Sequence, residues 1–530
     1  MKESLAESYM PAFTSYQAEE LAARGAFWSP ITYEAFGDGT KDDTAACQAA
    51  IDQAELNGGG IVYFPPGTFR ITSPLTVASS KVRIVGSGMQ TTKIKKDFNT
   101  ANTEAILITA SDCGVSFLTI EGITLAAFAV YEHGIRAQGT DDANRLSNIT
   151  ITDVEILNTG HHGIFAEYCK YLRVERCKLH HIGYLALGVW SCDYSTLNDN
   201  EIYTITPGSA GNTYGIAISH ITTGDTQCKY ATVSRNLIYD APLWEGIDTH
   251  GGKFLTISEN TILGCKRGVL MGIDVNNSYV PDYCSVINNV IDAQGLSPYD
   301  SGIIYAGIDA GTKATGGIIS GNIIKDHGYA ASLDWGAITC YSTQNLSITN
   351  NQIIDSKSTA ICLYQNNADL VITGNSINGV TVVHANSSGV IVRNTNNTGL
   401  MAHNVIRAGD AYGIYSIVSN TSLEQGHNKI SSTTFNLVQP EYMGRGTEIY
   451  GNLTFDPGNL IDGQGTIATI AVVGANLGDT VQFSAPYNLQ GLTVTGYVQI
   501  VNNVDLRLQN ESGAPVDLGN GNWKVKVTKM

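Results

Sequence analysis

Asn236 to Gly272, NLIYDAPLWEGIDTHGGKFLTISENTILGCKRGVLMG, is the stretch that decides how this chain folds. It holds two copies of one pattern, Asn-x-Ile followed after a turn by Gly-Ile or Gly-Val, and the first copy alone carries Trp244, Glu245, Asp248 and His250. Working outward, Asn-x-Ile recurs at Asn200, Asn236, Asn260, Asn289, Asn322, Asn351, Asn375, Asn404 and Asn428, in steps of 24 to 36 residues. An imperfect period of that length marks a solenoid, whose units are too small to bury their own apolar faces and must stack on one another. The segments between are short β-branched runs such as Leu346-Ser-Ile-Thr, too short for a helical repeat. Strands turned by Asn and Gly and stacked at about 4.8 Å give an all-β parallel β-helix, with equivalent Asn, Ile and Cys side chains in ladders.

Size and composition agree. A compact domain rarely reaches 530 residues, but a solenoid grows by adding coils. No apolar run approaches the roughly 18 residues of a membrane span, so no membrane insertion is expected. The formal charge of -17 argues against a nucleic-acid surface and would repel an anionic polymer unless Lys and Arg gather locally. Ten cysteines are scattered without a CxxC pair, which reads as buried thiols packing as small apolar groups. The Met-Lys start leads directly into a polar, helix-like segment, and no signal peptide is expected.

Along the chain, residues 3–24 read as short helical pieces broken by Pro11, within an N-terminal neck of residues 1–30. Next, DGTKDDTAACQAAIDQAELNGGGIVYFPPGTFRIT places Asp42 and Asp43 before a helix from about Thr44 to Leu56, apolar through Ala46, Ala50, Ile51 and Ala54 and stopped by Gly58 to Gly60. Such a helix would cap the end of the β-stack. Coils follow to residue 455. From 456 to 530, alternating apolar and polar residues with turns at Gly-Asp, Asn-Asn and Asn-Gly predict a small antiparallel β-sandwich.

Asp42-Asp-Thr, Gly-Gly-Gly-Ile-Val-Tyr-Phe-Pro-Pro-Gly-Thr-Phe and Lys81-Val-Arg-Ile-Val-Gly-Ser-Gly together resemble the opening of the pectate-lyase-like right-handed β-helix superfamily. The later WEGIDTHGG and ISENTILGC runs are similar to those of bacteriophage tailspike depolymerases. This resemblance implies a right-handed winding, a homotrimer and a place in the virion tail. It leaves the reaction open, because the superfamily holds lyases, hydrolases, epimerases and non-catalytic binders. The terminal sandwich, similar to end modules of phage tail proteins, would serve trimer assembly or carbohydrate contact.

The chemistry is sought on the strand that follows each glycine. Aligned on glycine, the segments include Gly163-Ile-Phe-Ala-Glu, Gly188-Val-Trp, Gly215-Ile-Ala-Ile-Ser-His, Gly246-Ile-Asp-Thr-His, Gly268-Val-Leu-Met-Gly-Ile-Asp and Gly307-Ile-Asp-Ala. The residue after glycine is aliphatic and points inward. Alternation then sends Phe165, Glu167, Trp190, Ala217, Ser219, Asp248, His250, Leu270, Asp274 and Asp309 outward onto one wall. Glycosidic hydrolysis needs one carboxylic acid to protonate the leaving oxygen and one carboxylate to activate water or to attack. Glu245 and Asp248 are the nearest pair, provided that Gly246 bends the chain, since residues three apart on an ideal strand face opposite sides. Asp309 is an alternative partner for Asp248, about 10 Å away if it lies in the same column two coils on. His250 would orient substrate or tune an acid.

Trp190 and Trp244 would stack on sugar rings, or else pack under a loop. His220, Arg267, Asp274 and Asp309 complete the expected substrate contacts, with Arg267 and Lys266 placed to neutralise a sugar acid. The doublets His161-His162 and His180-His181 lack acidic partners at metal-ligand spacing and read as structural; neither a metal nor a cofactor is expected. Three functions compete. One is an endo-glycosidase cutting a bacterial capsular or surface polysaccharide, and another is a lyase using a neutraliser and a base such as His250 or a Tyr. The third is a non-catalytic binding fibre. Two carboxylates flanking Gly246, with no Lys or Arg on that strand to act as base, favour the hydrolase.

Overall fold

The computed structural model describes residues 27–99, 103–123, 132–205, 212–295, 300–329, 332, 334–394, 396–417, 423–432, 437–438 and 448–530. The expected helical pieces over residues 3–24 lie outside the described residues. The chain divides into two compact units, Met1–Ser297 and Pro298–Met530. Both contain the parallel coils of a right-handed β-helix.

In the first unit each coil contributes three short strands that pair in parallel with their counterparts in the next coil. Three aliphatic columns point inward and make the core. One runs Ile151, Val174, Leu197, Val233, Ile257, Val286; the second Ile156, Leu179, Ile202, Ile238, Ile262, Ile291; the third Ile135, Ile164, Leu187, Ile216, Ile247, Val269. All of these side chains are buried. Stacking like on like at every rung removes the apolar face that no single coil could cover.

Asn-x-Ile marks a corner. The backbone N–H and side-chain Nδ2 of Asn200 both donate to Oδ1 of Asn236, at 3.0 and 2.9 Å, while Nδ2 also donates to the carbonyl of Val174. The same bonds join Asn236 to Asn260 and Asn260 to Asn289. In the second unit they join Asn322, Asn351, Asn375, Asn404 and Asn428. The amide therefore meets the buried backbone groups that a turn would otherwise leave bare. All ten cysteines are buried free thiols, and Cys169, Cys192 and Cys228 form a second ladder in which each backbone N–H donates to the next Sγ.

The helix Thr44–Leu56 packs on the strands Gly60–Phe64 and Leu75–Val77 through Cys47, Ala50, Ile51 and Ala54, with Cys47 taking the place expected of Ala46. Asp42 accepts the backbone N–H of Thr44, and Asp43 accepts those of Phe36 and Gly37. Gly59 ends the helix at φ +114, where a Cβ would stand 2.5 Å from Lys81 Cβ, so only glycine fits. At the other end of the sequence, pairing turns antiparallel. Glu448–Phe455 and Thr480–Ser484 flank Gly521–Thr528, and Gly465–Ala471 and Leu492–Ile500 flank Asn503–Asn510. Val504, Leu506, Leu508, Trp523 and Val527 are buried there.

Candidate active site

Glycines at one corner of the first unit decide where polar side chains point. A Cβ on Gly246 would sit 2.5 Å from Cγ2 of the core residue Ile262; Gly134, Gly163 and Gly215 would meet Ile156, Ile182 and Ile238 in the same way. Gly246 thus faces inward, and so does its neighbour Ile247. Two consecutive inward positions break the alternation of a strand. The bend assumed from the sequence is present, and it puts Glu245 and Asp248 on the same outer side.

Register then lays out the wall. One column, formed by the residue two before each core aliphatic, reads Glu104, His133, His162, Leu185, Tyr214, Glu245, Arg267; the next reads Leu107, Arg136, Phe165, Gly188, Ala217, Asp248, Leu270. A third carries Gln138, Glu167, Trp190, Ser219, followed by His250 and Gly272.

Glu245 is wholly buried. Its Oε1 accepts from a guanidinium nitrogen of Arg267 at 2.8 Å, and its Oε2 is buried without a hydrogen-bond partner. Asp248 is 3% exposed; its Oδ2 lies 3.3 Å from Nε2 of His250, and its Oδ1 has no hydrogen-bond partner. Burial raises the pKa of both carboxyls. For Glu245 the charge of Asp248 adds to that rise and Arg267 works against it; for Asp248 only burial raises and Arg267 again opposes. Tyr214, beside Glu245 in the column, is pushed up by burial and then by the negative charge of Asp248. His250 keeps an exposed side chain, its Nδ1 3.2 Å from Oγ of Ser219, and desolvation holds it below the ordinary histidine range although Asp274 pulls the other way.

The remaining candidates fall into smaller groups. His220 pairs with Asp274 at 2.9 Å, and Asn277 bridges them by donating to Asp274. Burial works to raise the Asp274 carboxyl, but hydrogen bonds from Asn277 and Asn276 and the charge of His220 bring it below its usual value. Asp274 lies past the end of the strand Thr261–Gly272, bridged to Tyr279 across a turn. The ammonium of Lys266 and the guanidinium of Arg267 lie 4.4 and 4.6 Å from the Trp244 ring centre, so cations already occupy ring surface that was expected to receive a sugar. Trp190 stands edge-on to the buried Phe165 at 4.7 Å, with its Nε1 buried and unpartnered.

Asp309 is a correction. The strand of that coil is Ile303–Ala306, and Gly302, whose added Cβ would meet Ile324, fills the inward glycine position. Gly307 instead opens a turn in which the exposed Asp309 accepts the N–H groups of Gly311 and Thr312.

Reading only the residues after each glycine missed the column before it. Tyr214, His133 and Glu104 stand there, and so does Arg267, in register with Glu245 one coil on. Arg136 also went unnoticed: its Nε donates to Glu167 at 2.7 Å, and a terminal nitrogen lies 4.0 Å from Glu104.

The profile of the family "Rhamnogalacturonase A/epimerase, pectate lyase-like" matches residues 31–270. Over these residues the chain is similar to that family. A mannuronan C5-epimerase of Azotobacter vinelandii, AlgE1, is 38% identical to this chain over 146 residues, 25% of the chain and 10% of the epimerase. A capsule KN3-specific depolymerase of Klebsiella phage KN3-1 is 26% identical over 201 residues, 36% of the chain and 23% of the depolymerase. The chain thus spans a small part of the curated relatives that it matches. The solved tailspike protein gp49 of Pseudomonas phage LKA1 superposes with a TM-score of 0.62 at 12% identity, covering 95% of this chain and all of that one. At such identity the likeness is one of fold, and the pectate-lyase-like segment is the part of the chain that carries the carboxylate pair.

Proposed function

We propose that the protein depolymerises a bacterial surface polysaccharide by carboxylate-assisted hydrolysis at Glu245 and Asp248. The observation that carries this reading is the buried pair itself: two carboxyls on one side of a bend, each with an oxygen that nothing in the protein engages. Two like charges in a dry site resist ionising together, so the pair favours a state with one shared proton. With Asp248 ionised, its charge keeps the proton on Glu245. That makes Glu245 the acid that protonates the glycosidic oxygen and Asp248 the base or nucleophile. Arg267 holds the Glu245 carboxyl through Oε1 and leaves Oε2 as the atom that hands over the proton. The tailspike-like fold and the capsule-specific relative support a phage tail location and a homotrimer, for which light scattering that returns a monomer is the opposing result.

A lyase is the second reading. It is favoured by Arg267 and Lys266 as neutralisers of a uronic acid and by His250, whose depressed pKa leaves a neutral imidazole that can take a proton. One digestion separates the two. Capsular polymer is incubated with the protein, and the fragments are weighed by mass spectrometry while ultraviolet absorption is followed. Hydrolysis adds water and leaves the spectrum flat; elimination leaves an absorbing double bond. Unchanged polymer viscosity would instead indicate a binding fibre.

A further inference from the structure

Three histidines meet in the first unit, three rungs and more from the carboxylate pair. His133 opens the strand His133–Gln138, and His162 is its partner in the next rung, with His161 beside it. One ring nitrogen from each histidine lies within 4.8 Å of the others. Nδ1 of His133 and Nδ1 of His162 are 2.9 Å apart, and the rings of His161 and His162 are 4.0 Å centre to centre. Exposure is 1%, 7% and 1% for His133, His161 and His162. Nε2 of His162 is buried and has no hydrogen-bond partner. The backbone N–H groups of His161 and His162 both donate to the carbonyl of Glu132, at 3.1 and 2.9 Å, which fixes the two neighbouring imidazoles in place.

The surrounding charges do not cancel. Lys96 pairs with Glu132 at 2.7 Å and Arg136 with Glu167 at 2.7 Å, which leaves the buried Glu104 as a third carboxylate against two cations. Glu104 is in register beside His133, and its Oε2 lacks a hydrogen-bond partner.

We propose that His133, His161 and His162 form a binding site for a divalent transition-metal ion of the zinc type, with Glu104 as the carboxylate that balances its charge. Three neutral imidazoles are a donor set that zinc takes, at Zn–N distances of about 2.0–2.1 Å. Tetrahedral binding at those lengths sets the nitrogens about 3.3 Å from one another, between the 2.9 Å that now separates the Nδ1 atoms of His133 and His162 and the 4.8 Å that spans the three residues. The ion would tie two successive rungs together. The site does not depend on how the carboxylate pair is read. Residues 161 and 162 alone, seen in sequence, offered no third ligand, because His133 reaches them only through the stacking of coils.

The test uses the full chain without a polyhistidine tag. Protein loaded with zinc chloride and desalted is analysed for metal, and the cobalt(II) form is examined by visible absorption and by X-ray absorption at the metal edge. One ion per chain is expected, with scattering from three imidazoles. H133Q and H162Q are expected to weaken binding by a factor on the order of 100 or more, while the double variant H180Q/H181Q keeps the parent affinity. Wild-type protein retaining less than about 0.1 ion per chain under these conditions overturns the proposal, as does H162Q binding metal like the parent. Should H162Q fail to fold, H162C restores a ligand that zinc and cobalt accept. A thiolate-to-cobalt band in H162C supports the site, and its absence in folded protein refutes it.

Discussion

Two corners of the same coil follow opposite rules. At the asparagine corner every rung repeats one residue, and each amide meets its neighbour and a backbone carbonyl; no asparagine of that ladder is among the buried side chains lacking a hydrogen bond. At the Gly246 corner the residue changes along the column, from Glu104 through His133 and His162 to Leu185, Tyr214 and Glu245. There, among the described residues, Glu104, His162, Trp190, Glu245 and Asp248 each keep a buried polar atom with no hydrogen-bond partner. Leaving such atoms bare costs roughly 1–3 kcal/mol apiece. A fold that matches its polar groups so fully on one side and leaves them open on the other keeps its stabilising repeat away from the wall where a ligand would supply the missing partners.

The contrast is tested most severely by removing the charge on the wall. Asp248→Asn and Glu245→Gln are expected to lower the rate of polymer cleavage about 10³-fold or more while remaining folded and no less stable than the parent, as read by reducing-end release and calorimetry. Full activity in both variants would move the chemistry elsewhere. The opposite profile is expected at the ladder. Asn260→Ala strips partners from Asn236, Asn289 and the Val233 carbonyl and should lower stability by about 3 kcal/mol in urea melts, while surviving folded protein cleaves at the parental rate.

A smaller effect is expected in the pH dependence of stability. Both wall carboxyls have folded pKa values above their unfolded ones. Below about pH 4 folded and unfolded chains are both protonated there and the pair is neutral to stability. As pH rises, the unfolded chain releases protons that the native state retains, and stability falls by about 1.4 kcal/mol per pH unit for each group until its folded pKa is passed. For Asp248 that window closes at about 7 and for Glu245 at about 8. Asp248→Asn should therefore gain on the parent between pH 4 and 7 and match its slope below. Smallest of all, Ser219→Ala removes one contact of His250 and should change the rate less than about 10-fold, with any effect confined to the acid limb of the pH profile.

Most of the architecture was legible because the ladder is written in the sequence. Asn-x-Ile repeats since one amide can accept from the preceding coil and donate to the next, and the aliphatic after each glycine repeats since it fills the core. The site was legible in part. Asp248 and His250 follow Gly246 and could be read outward, and Glu245 joined them once the glycine was allowed to bend the chain. Asp309 misled because Gly307-Ile-Asp imitates the pattern that Gly302 in fact supplies. Tyr214, Arg136 and the meeting of His133 with His162 went unseen, since their proximity comes from stacking and no local motif announces it. Trp244 was taken as a bare platform because the sequence does not show that Lys266 and Arg267 fold back over it.

The uneven spacing of the asparagines carries an evolutionary consequence. Successive ladder residues are bonded to one another whether 24, 29 or 36 residues lie between them. Segment length between rungs is therefore a free variable, while the rung itself is not. Lineages can lengthen, trim or exchange the excursions that rim the wall, and so change the surface it presents, without renegotiating the scaffold that holds them.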